Sequence, residues 1–126
     1  MSSVHPGRLD LSTEVVAARG GTVAVVRAEG EVDLDSAGEL GSALESEACT
    51  DCDGVVLDLT GVPFMDSSGL RTILAASEKN RLVLVLQPES PVARLLELTN
   101  LVDVIPAFSS EAPAVHSVVD DSGRDA

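Results

Sequence analysis

The chain has 126 residues, which fits one domain, and its 21 acidic and 8 basic side chains give a formal net charge of -13. Such an acidic surface repels phosphate backbones and anionic lipid head groups, and an aromatic content of 2% leaves little to stack on bases. We therefore expect neither nucleic acid nor a membrane as a direct partner. Hydrophobic residues make up 44% of the chain, enough to fill a core, and no apolar run reaches the roughly 18 residues of a membrane span.

The two ends of the chain differ in composition from the middle. Residues 1–8 are small and polar, without the charged-then-apolar order of a signal peptide. We expect a flexible N-terminus over 1–8, one folded domain over 9–119 and a disordered acidic tail over 120–126. This organisation predicts a cytoplasmic protein.

The folded region begins with the alternation of a strand. Apolar residues and one threonine recur at every second position over 9–18, which predicts a half-buried strand whose inner face carries Leu9, Leu11, Thr13 and Val15. The glycines in Arg19-Gly20-Gly21-Thr22 tolerate the positive φ of a tight hairpin turn. A returning antiparallel strand over 22–30 follows.

The spacing then changes to three and four residues, which predicts a helix. Its inner face carries Ala37, Leu40, Leu44 and Ala48. Either Asp33 or Asp35 can cap the start of this helix by accepting backbone N–H bonds.

Strands and helices alternate over the rest of the chain. Buried strands are predicted at 54–61 and 81–87, and a last strand at 101–105. Helices are predicted at 70–80, from Ser90-Pro91 with an inner stripe of Val92, Leu95, Leu96 and Thr99, and at 109–121 with Val115, Val118 and Val119 inward. The expected fold class is α/β: a mixed, mostly parallel sheet of about five strands, with an N-terminal antiparallel hairpin and about four helices.

The segment 64–70, FMDSSGL, lies between a buried strand and an amphipathic helix, where α/β proteins place functional groups. Asp66 or Ser67 can cap the helix, and a helix N-terminus tolerates an anion, so a serine here is a permitted phosphate acceptor. Gly69 allows another backbone to approach closely, and Phe64 and Met65 are apolar groups on which a partner could dock. The alternative is a purely structural turn and cap, with the apolar residues in the core.

The stretch VVLDLTGVPFMDSSGLRTIL resembles the central motif of STAS-domain anti-sigma factor antagonists. GEVDLDSAGEL resembles the segment that those proteins carry before their first helix, and the resemblance covers roughly 9–119. It implies a STAS fold and a protein that binds an anti-sigma factor which is also a serine kinase. Binding frees a sigma factor for RNA polymerase, phosphorylation releases the antagonist, and a serine phosphatase resets it. No cofactor and no enzymatic activity are expected.

The resemblance also implies the residues of the site. The phosphorylated serine of the family directly follows the aspartate, which is Ser67 here. The kinase-facing surface is placed around Asp66, Ser68 and Gly69, with Asp33 nearby. Together with the apolar neighbours of the motif, the expected partner-binding residues are Asp33, Phe64, Met65, Asp66, Ser67, Ser68, Gly69 and Leu70.

Three other functions compete with the antagonist. A STAS-type scaffold of a stress-signalling complex keeps the fold, although such assemblies usually add a further domain. A receiver-like domain would use Asp58 as its phosphate acceptor, but it needs an acidic pair after the first strand to hold Mg²⁺, and Arg19-Gly20-Gly21 stands there. An enzyme would need a general base near Ser67 or a metal held by Asp33, Asp35, Asp58 and Asp66, whose spacing solvated caps explain equally well.

The sequence contains two cysteines, Cys49 and Cys52, in the motif CTDC. One such pair cannot form a tetrahedral zinc site without further ligands, so no metal site is expected. A thioredoxin-like redox pair opens a helix just after a strand, whereas CTDC follows a helical pattern and precedes a strand. Inert reduced thiols are the favoured interpretation, with a redox switch as the alternative.

Overall fold

The computed structural model describes residues 9–124, with 121–124 described by their backbone only. One sheet of five strands has the order β1-β2-β3-β4-β5. β1 pairs antiparallel with β2, and the other neighbours are parallel. The strands are β1 (Asp10–Ala18), β2 (Gly21–Glu29), β3 (Gly54–Gly61), β4 (Leu82–Val85) and β5 (Ala107–Phe108). This mixed sheet confirms the predicted fold class.

The described part of the chain forms five α-helices, which cover both faces of the sheet. They are α1 (Ala37–Leu44), α2 (Glu47–Thr50), α3 (Ser67–Lys79), α4 (Pro91–Leu98) and α5 (Glu111–Arg124). Helices α1 to α4 pack over one face through a large apolar cluster, and α5 packs over the other through a smaller, valine-rich one. Alternate residues of β3 and β4 enter the two clusters, so these strands are buried on both faces as predicted.

The β1–β2 hairpin closes with a two-residue turn, but its positive φ angles do not fall on both glycines. They fall on Arg19 (φ 50°) and Gly20 (φ 82°), and Gly21 already pairs with Ala18 in the ladder. Positive φ at both central residues is the geometry that matches the twist of a two-residue hairpin. The predicted inner face of the first strand is confirmed only in part. Leu9, at its start, is buried, but Val15 is 51% exposed.

The single helix predicted from Ala37 to Ala48 is two helices in the structure. The predicted single helix is broken at Ser46, whose backbone is extended (φ -65°, ψ 161°), so α1 ends at Leu44 and α2 restarts at Glu47. The break lets Cys49 enter the core beside Leu44 and turns the chain toward the start of β3.

The predicted last strand at 101–105 was wrong. Asn100 adopts the left-handed conformation (φ 63°) after α4, and Leu101–Asp103 form a short 3-10 helix instead. Val102 and Val104 are exposed, so their alternation reflects no sheet face. The edge strand comes later: the N–H groups of Leu84 and Leu86 donate to the carbonyls of Pro106 and Phe108 at 2.9 Å.

The ends of two helices also differ from expectation. Thr99, predicted on the inner stripe of α4, is exposed at its end and donates to the Leu95 carbonyl. Helix α5 continues to Arg124, which places 120–124 in a helix, where a disordered tail was expected. Residues 1–8 and 125–126, which complete the predicted termini, lie outside the described residues. Over the described residues, no helix combines the length and the apolar character that crossing a membrane requires.

Candidate functional site

The candidate site lies where the chain leaves β2 and β3 at their carboxyl ends. Beyond the strands the two segments stay paired: Gly30 N donates to Gly61 O, Val32 N to Phe64 O, and Asp66 N to Val32 O, each at 3.0 Å. This parallel bridge between Val32 and Met65 carries the residues after Val32 alongside the start of α3. Two segments distant in sequence are thereby fixed to each other.

Asp66 caps α3, which settles the choice between Asp66 and Ser67. Its Oδ1 accepts the Ser68 N–H at 2.8 Å, as the N-cap preference for aspartate predicts. Ser67 is the first residue of this 13-residue helix and is exposed. The remaining first-turn N–H groups and the positive end of the helix dipole favour a negative charge at this position. A phosphate on Ser67 would therefore be well tolerated by the helix itself.

Three residues of the segment 64–70 are interior. Met65 is 4% exposed, Leu70 is 9% exposed and Gly69 is buried. These residues pack into the main core and support the site from below, so in the free protein they offer little surface to a partner. Only Phe64 of the apolar neighbours is accessible, at 49% exposure.

Gly69 is needed for the packing of side chains, because the three atoms nearest to a Cβ built there all belong to side chains. A Cβ at Gly69 would lie 2.6 Å from Cγ of Met65 and 2.7 Å from Cγ1 of Val32. Real Cβ atoms essentially never make contacts this short. The absence of a side chain at 69 thus lets α3 sit directly on the bridge between Val32 and Met65.

Asp33 organises a tight turn before α1. Its Oδ1 accepts the N–H groups of Asp35 and Ser36 at 3.0 and 3.1 Å, and it also accepts the Ser36 hydroxyl at 3.1 Å. The side-chain bonds of Asp33 stop at Ser36, the N-cap residue of α1, which itself makes no side-chain capping bond. The cap expected from Asp33 or Asp35 was therefore wrong, and Asp33 closes the turn that precedes the helix. The turn displays Leu34 at its tip, 78% exposed.

Leu34 is the accessible residue that sequence reasoning missed. It lies outside the apolar stripe of α1 and stands between two aspartates at a helix cap. That context was the available signal, because a leucine at such a position has no core to enter.

The accessible surface around Ser67 therefore includes Leu34 and Phe64 as apolar groups, and Asp33, Asp66 and Ser68 as half-buried polar groups. Arg71, one helical turn after Ser67, is exposed.

Comparison with known proteins identifies the family. The family model described as "STAS domain" matches residues 14–114. The chain belongs to the STAS domain family. It is also similar to a curated relative, the anti-sigma F factor antagonist of Paenibacillus polymyxa, at 31% identity over 112 residues, covering 85% of this chain and 94% of the relative. By this homology it falls among the anti-sigma factor antagonists.

Solved structures share the STAS fold. An anti-sigma factor antagonist from Mycobacterium paratuberculosis has 27% identity and a TM-score of 0.71, with 86% of this chain and 94% of that chain covered. The Bacillus cell fate determinant SpoIIAA in its phosphorylated form has 21% identity and a TM-score of 0.60, with 86% and 99% covered. The second likeness, at this identity, supports the fold alone.

The cysteines of the STAS domain are free thiols, and CTDC spans the last two residues of α2 and the turn before β3. Cys49 is buried, and its Sγ donates to the Ala43 carbonyl at 3.2 Å. Burial raises the pKa of the Cys49 thiol, which disfavours the reactive thiolate. These features favour the interpretation of inert thiols.

Asp58, the acceptor in the receiver-like alternative, lies on the opposite face of the sheet from the Ser67 site. Its Oδ1 accepts the N–H and the hydroxyl of Thr60 at 2.9 and 2.7 Å. Among the side chains that the structure describes, no group of three or more histidine, cysteine or acidic residues is arranged to hold a metal ion. Asp58 instead adjoins an ionic network centred on Arg27.

The Arg27 network joins β1, β2 and α5. Arg27 makes a bidentate pair with Glu111, through Nε at 2.8 Å and Nη2 at 2.9 Å, and its Nη1 donates to Glu14 at 2.9 Å. The Arg27 hydrogen bonds, followed by one to Asp58, lower the pKa of Glu111 to about 2. Burial, followed by the hydrogen bond to Glu111, raises the pKa of Asp58. The network ties the first residue of α5 to the sheet.

Acid should weaken the ion pair between Arg27 and Glu111 over a defined pH range. Because the pKa of Glu111 falls from 4.5 to about 2 on folding, ionised Glu111 stabilises the fold above pH 4.5, and that stabilisation is lost as pH falls toward 2. The raised pKa of Asp58 acts in the opposite direction, since it favours the fold at low pH and its contribution is lost as pH rises. We expect Glu111→Gln to lower the free energy of unfolding at pH 7 by about 1 kcal/mol or less, since the pair is partly exposed.

Urea unfolding at several pH values between 2.5 and 7 measures this effect. The difference between the wild type and Glu111→Gln should shrink as the pH approaches 2.5. Glu45→Gln is the matched control, because Glu45 pairs with Lys79 at the exposed surface and should change little at any pH. A wild-type advantage over Glu111→Gln that stays constant down to pH 2.5 would contradict the assignment.

Proposed function

We propose that this STAS domain protein binds an anti-sigma factor that is also a serine kinase, frees a sigma factor by doing so, and is switched off by phosphorylation of Ser67. The observation that carries the proposal is Ser67 itself, exposed at the first position of α3 within the D-S-S-G-L motif of a chain homologous to anti-sigma factor antagonists. A serine phosphatase would reverse the modification. Since a sigma factor acts on RNA polymerase, this function places the protein in the cytoplasm.

The position of Ser67 gives the switch its physical basis. A phosphate adds about -1.5 to -2 charges and three acceptor oxygens. The N-terminus of α3 accommodates that charge in the free antagonist. A partner packed against Ser67 would have to desolvate the phosphate and make room for it, so the modification penalises the complex far more than the free protein.

Total charge contributes little to the switch. The chain already carries a formal charge of -13, and the phosphate changes that value modestly. A release that depends on the phosphate must therefore come from its location in the contact surface. This distinguishes the proposal from a general electrostatic repulsion between antagonist and partner.

Phosphate transfer tests the proposal. The purified protein is incubated with each purified ATP-binding anti-sigma factor of the source organism and Mg-ATP, and the phosphate is located by mass spectrometry. We expect phosphate on Ser67 in the wild type and in Ser68→Ala, and none in Ser67→Ala. Ser68→Ala is a fair control because the Ser68 backbone N–H, which Asp66 caps, is retained.

Phosphate on another residue, or none with any of these kinases, would refute the Ser67 assignment. Size-exclusion chromatography separates the scaffold alternative, since a small species is expected for the antagonist and a very large particle for the scaffold.

A further inference from the structure

Leu34 is a large apolar side chain that the fold leaves in solvent beside Ser67. It is 78% exposed at the tip of the turn 33–36, which we name the Leu34 turn. We propose that Leu34 is an apolar anchor that enters a pocket of the anti-sigma factor, and that Asp33 positions it without contacting the partner. This inference rests on the proposed function and names a part of the same binding surface that the motif does not contain.

The Leu34 turn is held rigidly from inside. Asp33 Oδ1 accepts two backbone N–H groups and the Ser36 hydroxyl, while the Asp33 N–H donates to Ser36 Oγ at 3.0 Å. The Ser36 hydroxyl also lies 2.9 Å from the Glu31 carbonyl, and Ser36 is only 4% exposed. A side chain displayed on such a turn loses little backbone freedom when it binds, which is the advantage of a preorganised contact.

The bridge between the two segments places Leu34 at the Ser67 site. Val32 and Met65 are paired and buried, at 0% and 4% exposure. Because Asp66 N donates to Val32 O at 3.0 Å, the Leu34 turn, which begins at Asp33, starts beside Asp66, the residue before Ser67. One segment thus contributes Leu34 and the other Phe64, the exposed apolar residues nearest to the motif along each segment.

The charges around Leu34 and Phe64 indicate which kind of partner surface would fit. Glu31 and Asp35 are exposed, and Asp33 and Asp66 are half-buried, while Arg71 on α3 is the basic side chain of this region. An apolar contact set among acids fits a protein face with an apolar pocket and a basic rim. The same acids disfavour nucleic acid and anionic lipid as occupants.

The direct test is truncation of the anchor. Isothermal titration calorimetry measures binding of the wild type and of Leu34→Ala to the purified ATP-binding anti-sigma factors of the source organism. We expect Leu34→Ala to weaken binding by about tenfold or more, the scale expected for burial of one leucine. Its melting temperature should match the wild type, because Leu34 is 78% exposed and its truncation leaves no cavity in the core.

Leu98→Ala is the matched control. Leu98 is 82% exposed and is the last residue of α4, a helix that begins after β4 and runs back to the opposite edge of the sheet. Its truncation removes the same apolar area far from Ser67, so binding should stay within about twofold of the wild type.

The role of Asp33 is tested by a pair of variants. Asp33→Asn keeps an oxygen that can accept the backbone N–H groups of the turn, whereas Asp33→Ala removes it. We expect Asp33→Ala to weaken binding about as much as Leu34→Ala, and Asp33→Asn to restore most of the loss. Equal losses in both variants would show that the Asp33 charge itself contacts the partner and would overturn its positioning role.

The outcomes separate this inference from the proposed function. If the wild type binds an anti-sigma factor and Leu34→Ala binds equally well, the anchor is refuted while the proposed function stands. If no anti-sigma factor binds the wild type, the proposed function fails and the anchor fails with it.

Discussion

Ser67→Asp should lower the affinity of the protein for its anti-sigma factor by about a hundredfold, which corresponds to about 2.7 kcal/mol. The aspartate places a carboxylate where the phosphate would sit, at the exposed first position of α3. The helix tolerates this charge, but a packed partner must desolvate it. Ser67→Ala, which adds no charge and removes only a hydroxyl, should retain most of the affinity. Calorimetric titration with the purified anti-sigma factor measures all three proteins.

Thr50→Asp controls for the added charge. Thr50 is exposed at the end of α2, which leads into the start of β3 and so lies at the opposite edge of the sheet from Ser67. It should bind within about twofold of the wild type, because a single charge far from the contact surface is screened. Equal losses in Thr50→Asp and Ser67→Asp would show that total charge, and not the position of the charge at Ser67, sets the affinity.

Gly69→Ala should lower the free energy of unfolding by about 1–3 kcal/mol, the usual cost of overpacking a core. The new Cβ would lie 2.6 Å from Cγ of Met65 and 2.7 Å from Cγ1 of Val32, so side chains at the core of the site must move. This cost should outweigh the gain of about 1 kcal/mol that alanine offers over glycine in a helix. Urea unfolding at neutral pH measures the difference.

Gly38→Ala is the matched control for Gly69→Ala. Gly38 is helical and exposed, and a Cβ there meets nothing within 4 Å. We expect this variant to be as stable as the wild type or more stable by up to about 1 kcal/mol. A Gly69→Ala variant that is stabilised like Gly38→Ala would contradict the packing role of Gly69.

The elements predicted correctly are those whose hydrophobic pattern in the sequence matches their burial in the structure. Short valine and leucine runs predicted β3, which begins and ends with a glycine, and β4. A cap at Asp66 or Ser67 was predicted for α3, and the structure has it at Asp66. The misplaced last strand shows the limit of this reasoning. Val102 and Val104 alternate like a strand, but the left-handed Asn100 and the position of Pro106 decide where the chain meets β4.

The sequence located a candidate site but did not show which of its residues are accessible. The motif located Ser67 and Asp66, yet burial of Met65, Gly69 and Leu70 depends on the bridge to Val32, a contact between segments distant in sequence. Leu34 was missed for the converse reason. Its exposure follows from the turn that Asp33 closes, and periodicity alone does not describe a residue outside the helix.

The central claim is that a phosphate on Ser67 releases the partner through its position. The most direct measurement compares one preparation in three states: unmodified, fully phosphorylated by the anti-sigma kinase, and dephosphorylated again by a serine phosphatase. Titration against the same anti-sigma factor should give tight binding in the first and third states and at least a hundredfold weaker binding in the second. Equal affinity in all three states, with the phosphate verified on Ser67, would contradict the account.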